Sequence, residues 1–185
     1  MVQIMWKEII VGFMLLFIFR WLLNVYMINT YNKMARLFGK TNNVETLKKR
    51  MKKHRKLCDF FSIGPWNQEI YAIYNGLCWM LASLELLEGR EDQFLQYVNS
   101  IKKGKEYEIK PFAFALYYRS RKNQSLAEEW YRDYLKCNYQ HIEMYLLLDY
   151  IFSENKRSLD ETMSKVIGLF KNPATIILIK DNGII

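Results

Sequence analysis

Turn-forming residues are scarce: 8 glycines and 3 prolines in 185 residues, about half of the roughly 12% that ordinary proteins devote to the pair. A many-stranded sandwich or barrel needs a turn every few residues, so it is excluded, as are collagen and Pro/Gly-rich disorder. Cysteine is equally thin. Cys58, Cys78 and Cys137 have no regular spacing, which fits a reducing compartment and no disulfide framework. There are two histidines, His54 and His141. No H-E-x-x-H, paired C-x-x-C, G-x-S-x-G or phosphate-cradling glycine loop occurs. His54/Cys58 and Cys137/His141 each stand four apart and would together make a Cys₂His₂ set. The pairs are 79 residues apart, and each also fits a buried helical seam. No metal, no cofactor and no enzyme activity are expected. Glu91/Asp92 and Glu128/Glu129 read as helix starts or solvated faces.

What is present is apolar and, in one place, basic. Apolar residues make 51% of the chain and aromatics 16%, ample for a core, and with few turn formers the fold class is all-α. Residues 33–56 carry ten cations against Glu45 alone, whereas residues 57–185 carry 15 basic and 17 acidic side chains. The net +8 is therefore a device of one short segment. A body that binds nucleic acid over its whole surface needs the charge on the folded domain. The basic segment has no aromatics interleaved among its cations for base stacking, so nucleic acid is not an expected partner.

Ile9–Ile28 reads IIVGFMLLFIFRWLLNVYMI, and about 20 helical residues cross a hydrocarbon core of about 30 Å. Trp6, Trp21, Tyr26 and Tyr31 form a loose aromatic belt. A cleavable signal peptide fits poorly, because its charged n-region and small-residue cleavage site are missing. Residues 1–30 are expected to be a single transmembrane anchor. Ten Lys/Arg follow the span and only Lys7 precedes it, so the amino terminus is expected outside and the rest in the cytoplasm. The sequon Asn123-Gln124-Ser125 would then be unused. Gly12, Leu16, Arg20 and Asn24 fall four apart, a row on which a small residue, a guanidinium and a carboxamide could pack against a partner helix; alternatively, Arg20 simply snorkels to the inner interface.

Residues 31–63 form a basic juxtamembrane segment. Val44, Leu47, Met51, His54, Cys58 and Phe61 make one apolar seam, with Asn42 or Asn43 as cap. Lys48, Lys49, Arg50, Lys52, Lys53, Arg55 and Lys56 occupy the other faces and are the expected contacts to anionic lipid of the inner leaflet.

In residues 64–185, breaks at Gly64-Pro65, Gly89, Gly104, Asn123, Asn138, Asn155 and Asn172-Pro173 separate helical periodicities. They predict helices over 66–88, 91–103, 107–121, 124–137, 141–154 and 158–171, with Pro111 in a first turn. Residues 173–180 are expected to be a capping helix, since a strand at 176–179 would have no partner. Short connections imply antiparallel αα-hairpins. Phe114-Ala115, Tyr118, Ala127, Tyr131 and Tyr134 resemble one tetratricopeptide (TPR) unit, with Ala115 and Ala127 at the small positions. Ala82, Phe94 and Val98 resemble a second, partial unit, while Asp149, Glu161 and Lys165 fit a third poorly. The resemblance covers about 66–171 and implies either a TPR-like solenoid or a small helical bundle. It also implies a groove for a partner lined by the first helix of each pair, here Trp79, Ser83, Leu86, Phe112, Leu116 and Arg119.

The expected function is a membrane-anchored cytoplasmic adaptor or scaffold that binds a partner protein through this helical domain. The alternative is a small accessory or immunity subunit of a membrane transport or secretion complex, recognised through the transmembrane row.

Overall fold

A computed structural model describes residues 2–38, 40, 43–61, 68–138, 141–153 and 159–184, and every regular element among them is helical. The order is α1 (Val2–Leu37), α2 (Val44–Phe61), α3 (Gln68–Leu87), α4 (Glu91–Asn99), α5 (Ile109–Ser120), α6 (Gln124–Leu135), α7 (Ile142–Phe152) and α8 (Leu159–Lys165), then a 3-10 turn (Ile167–Lys171) and α9 (Pro173–Asp181). The expected breaks at Gly64-Pro65 and Asn155, the side chain of Trp6 and the alternative cap Asn42 lie outside the described residues.

α1 is one helix of 36 residues, about 54 Å long at 1.5 Å per residue, and it has two parts. From Glu8 to Leu22 its side chains are exposed, apart from a half-buried Gly12. From Leu23 onward a seam of Leu23, Met27, Tyr31 and Met34 turns into the body, with Met27 fully buried. Over Glu8–Leu37 the helix is long and apolar enough to cross a membrane, by length and composition. α3, shorter at 20 residues and less apolar, is also long and apolar enough by that measure but is enclosed by the body, and it is the central core helix. Almost all of it between Ile70 and Leu86 is buried, with α1, α2, α4 and α9 packed around it.

Gly76 makes room on α3 for the Tyr31 side chain of α1, because a Cβ there would collide with the Oη of Tyr31. Gly76→Ala is therefore expected to cost about 1–3 kcal/mol by overpacking. Tyr31→Phe, which removes the colliding oxygen, should recover part of that loss. Thermal unfolding of the two variants and their combination checks the coupling.

The hairpins follow the sequence closely. α3 packs on α4, with Trp79 and Phe94 ring centres 6.5 Å apart. α5 packs on α6, with Phe114 and Trp130 at 4.6 Å. Tyr131 stacks on Phe152 at 4.8 Å and joins α6 to α7. Asn123 caps α6 through Leu126 N–H at 3.3 Å, and Asn172 caps α9 through Ala174 N–H at 2.9 Å, with Pro173 in its first turn. The capping helix expected at 173–180 is present.

Two expected helices are shorter. The segment at 91–103 leaves the helix after Asn99 because the buried Asn75 captures the loop beyond. Its Oδ1 accepts from Lys102 N–H, and its Nδ2 donates to the Lys102 and Lys105 carbonyls, all at 2.9 Å. The segment at 158–171 breaks at the fully buried Val166 and tightens into the 3-10 turn. There Gly168 lies against the Glu143 carboxylate, so closely that a Cβ would collide with it.

Candidate partner groove and membrane-facing surface

Five of the six groove residues expected from the TPR resemblance are inside the body. Ser83, Phe112 and Leu116 are fully buried, and Trp79 and Leu86 nearly so. The sixth, Arg119, is half-buried, with its guanidinium 5.4 Å from the Phe152 ring centre. The cover is α9, which packs on both α3 and α5 through the buried Ala174, Thr175, Leu178 and Ile179. Each end of α9 is fixed by an asparagine. Ser83 Oγ donates to Asn172 Oδ1 at 2.8 Å on the α3 side, and Asn182 Nδ2 donates to the Leu116 carbonyl at 3.0 Å on the α5 side. Apolar periodicity gives the apolar face of each helix and carries no information about which element covers it.

The basic helix α2 is capped by Asn43, which accepts from Thr46 N–H at 3.1 Å. Its seam is buried as expected at Leu47, Met51, His54 and Cys58, with Val44 and Phe61 half-buried. That seam faces α1 and α3, so the seven expected lipid contacts divide. Lys48 is buried and forms ion pairs with Glu85 at 3.0 Å and Glu88 at 3.2 Å. Lys52 leans toward Glu85 at 3.8 Å. Arg55 donates to Tyr74 Oη at 3.2 Å and lies over the Tyr74 and Tyr97 rings. These three are committed to the body by two carboxylates and two aromatic rings that pattern reading could not place opposite them. Lys49, Arg50, Lys53 and Lys56 remain exposed.

His54 fixes α2 against α1. Its Nε2 lies 3.2 Å from the Met27 carbonyl, which can only accept, so Nε2 carries the proton and donates. Burial lowers its pKa below the ordinary 6.5, against the raising effect of that bond.

On the exposed part of α1 the expected partner row is split. Gly12 has no neighbour within 4 Å, and Leu16 and Arg20 are exposed. Asn24 has turned toward the body, and its buried Oδ1 has no hydrogen-bond partner among the described residues.

The chemistry of the remaining groups is muted. Burial pushes Cys58 up to about 12 and Cys137 up to about 11, which leaves them weak nucleophiles at neutral pH. Among the described residues no three His, Cys, Asp or Glu side chains are grouped to hold a metal. A cleft of about 530 Å³ lies between the 103–108 loop and the end of α6. Two of its lysines are engaged, Lys105 with Glu69 at 3.2 Å and Lys136 with Asp133 at 2.8 Å, so the rim does not concentrate free positive charge.

The molecule is thus an all-α protein of packed helical hairpins from which one long apolar amino-terminal helix projects. No protein-family model, curated protein or solved structure matches the chain.

Proposed function

We propose that the protein is a single-pass membrane adaptor whose helical body binds a partner protein on the α3/α5 face of a TPR-like stack. The amino terminus lies outside and the body in the cytoplasm. One observation carries this reading: α1 is a single uninterrupted helix whose exposed apolar part runs directly into a part packed in the core. Such a helix holds the body at a fixed distance and orientation from the bilayer, which is what a scaffold requires. The excess of cations on the carboxyl side of the span supports the orientation. The TPR-like reading is supported by full burial of the small positions Ala82, Ala115 and Ala127 in tight hairpins. In the free chain α9 occupies the face that a partner helix would take.

Two experiments test this. With Cys137 replaced by serine, a Gln93→Cys probe on the exposed side of α4 should resist an impermeant maleimide in intact cells and react after permeabilisation. Labelling of intact cells would reverse the orientation. Residues 2–22 can also be exchanged for an unrelated apolar helix of equal length. Retained in-cell crosslinks to the partner place recognition in the body. Their loss would favour the accessory-subunit alternative, in which the exposed Gly12, Leu16 and Arg20 row is the contact.

A further inference from the structure

The pairing of α1 with α2 sets the level at which a bilayer can end. The two helices run antiparallel about the short connection at 38–43, and the His54–Met27 contact at 3.2 Å fixes their register, with the Tyr26 and His54 rings 6.3 Å apart. Seven residues onward along α2 is Phe61, and seven residues back along α1 is Arg20, each step about 10 Å. The tip of α2 therefore stands level with Arg20 and Trp21. By the same count Lys56 is level with Val25 and Lys53 with Ile28.

This register conflicts with a bilayer that covers the whole Ile9–Ile28 run. Its last turn would carry Lys53 and Lys56, both exposed, into hydrocarbon. The packed part of α1 begins at Leu23, and Ile9–Leu22 alone is only about 21 Å long, short of a core about 30 Å thick. The lysines stay out of hydrocarbon if the bilayer surface lies between the Phe60 and Lys56 levels, which leaves a span reaching at most to Val25, about 25 Å of helix and at the lower end of spanning lengths. Phe60 then has a use: it is 69% exposed, in edge contact with Phe61 at 5.1 Å, and by this count at the level of Trp21, itself 59% exposed. Aromatic rings above a belt of lysines are the chemistry of an inner membrane interface.

We propose that the tip of α2, Phe60 with Phe61, is a second membrane contact seated in the headgroup layer of an anionic bilayer. Lys56 lies at the phosphates with Lys53 about one turn further out, and Arg20 is about 7.5 Å deeper than Lys56, within the reach of a snorkelling side chain. α2 stands upright beside α1 and does not lie along the leaflet. The body then rests on two points and cannot swing about the anchor. This inference rests on the anchor reading but fails separately from it.

The test uses the full chain in vesicles with and without phosphatidylserine, with Cys137 replaced by serine. An environment-sensitive fluorophore is attached at Phe17→Cys, Phe60→Cys or Gln93→Cys, and nitroxide lipids quench it from the headgroup or from mid-chain. The probe at 17 should be quenched most by the mid-chain nitroxide, the probe at 60 most by the headgroup nitroxide, and the probe at 93 by neither. Removing phosphatidylserine, or combining Lys53→Glu with Lys56→Glu, should move the probe at 60 outward and leave the probe at 17 in place. Quenching at 17 with water-like emission at 60 would overturn the second contact and leave the anchor standing. Protection at 60 without lipid quenching would assign the tip to a protein partner and also overturn it. No quenching at 17 or 60 would overturn both.

Discussion

Alanine in place of Glu85 is expected to destabilise the body by about 3–5 kcal/mol, the usual cost of breaking a buried ion pair from one side. Glu85 has no side-chain exposure, and Lys48, its 3.0 Å partner from α2, has 3%. Lys52 approaches from α2 at 3.8 Å, and Arg90 approaches from beyond the end of α3. Removing the carboxylate strands the Lys48 ammonium in the α2–α3 interface with only Glu88 at 3.2 Å. Pairing Lys48→Met with Glu85→Leu removes both charges and fills the space, so the double variant should regain most of the loss. Urea unfolding of the full chain in detergent, followed by far-ultraviolet circular dichroism, measures Glu85→Ala, the double variant and its two component singles. A double variant as unstable as the sum of the singles would mean that the network contributes little.

The same carboxyl sets a pH dependence. Burial alone would raise its pKa, but hydrogen bonds and charge from Lys48 and Arg90 outweigh that, so it lies below the ordinary 4.5. A carboxyl with a depressed folded pKa contributes stability that is fully present above the unfolded value and lost as pH falls through the folded one. The native chain should therefore lose this contribution only below about pH 4.5. Glu85→Ala should flatten that part of the profile.

These groups also show where the sequence was readable. Helix positions were legible because the joints carry residues whose local chemistry acts alone, such as Asn123 and Asn172 as caps and Gly89 with φ +73°. The seam of α2 followed from periodicity, and Ala115 and Ala127, both fully buried, stood at the small positions of the TPR resemblance. The covering partner did not, since a 3.6-residue stripe is the same whether a neighbouring helix, a lipid or a foreign peptide lies on it. Trp79, Ser83, Leu86, Phe112 and Leu116 therefore read as a groove until α9 is placed. Lys48, Lys52 and Arg55 read as lipid contacts because Glu85 and Tyr74 are distant in sequence. One signal was visible but unused: Glu85 is an acid inside the apolar run of α3, and a buried acid implies a buried cation nearby. Asn75 carried the same hint for the 100–108 loop.

The adaptor reading makes α9 the decisive element, because a partner helix on α3 and α5 must replace it. Leu178 and Ile179 are 1% and 0% exposed, so Leu178→Ala should cost about 2–5 kcal/mol through lost burial and the cavity left behind. A loss of that size in thermal unfolding would show that α9 is part of the core and that its seat is exposed when it leaves. Asn172→Ala is the gentler probe. It removes the helix cap, worth about 1 kcal/mol, together with the bond to Ser83, and leaves the apolar face of α9 intact. It should weaken the seating of α9 without unfolding the hairpins and so favour exchange with a partner helix. In-cell crosslinking to the partner from a photoreactive side chain at Arg119 should then rise several-fold, since each 1.4 kcal/mol is a factor of ten in an equilibrium constant. If crosslinking is unchanged while Leu178→Ala unfolds the body, α9 is a permanent wall of the fold. Recognition must then lie elsewhere, and the exposed row of α1 becomes the contact to test, because it joins Gly12 and Arg20 on one helix face, with open space beside Gly12 among the described residues.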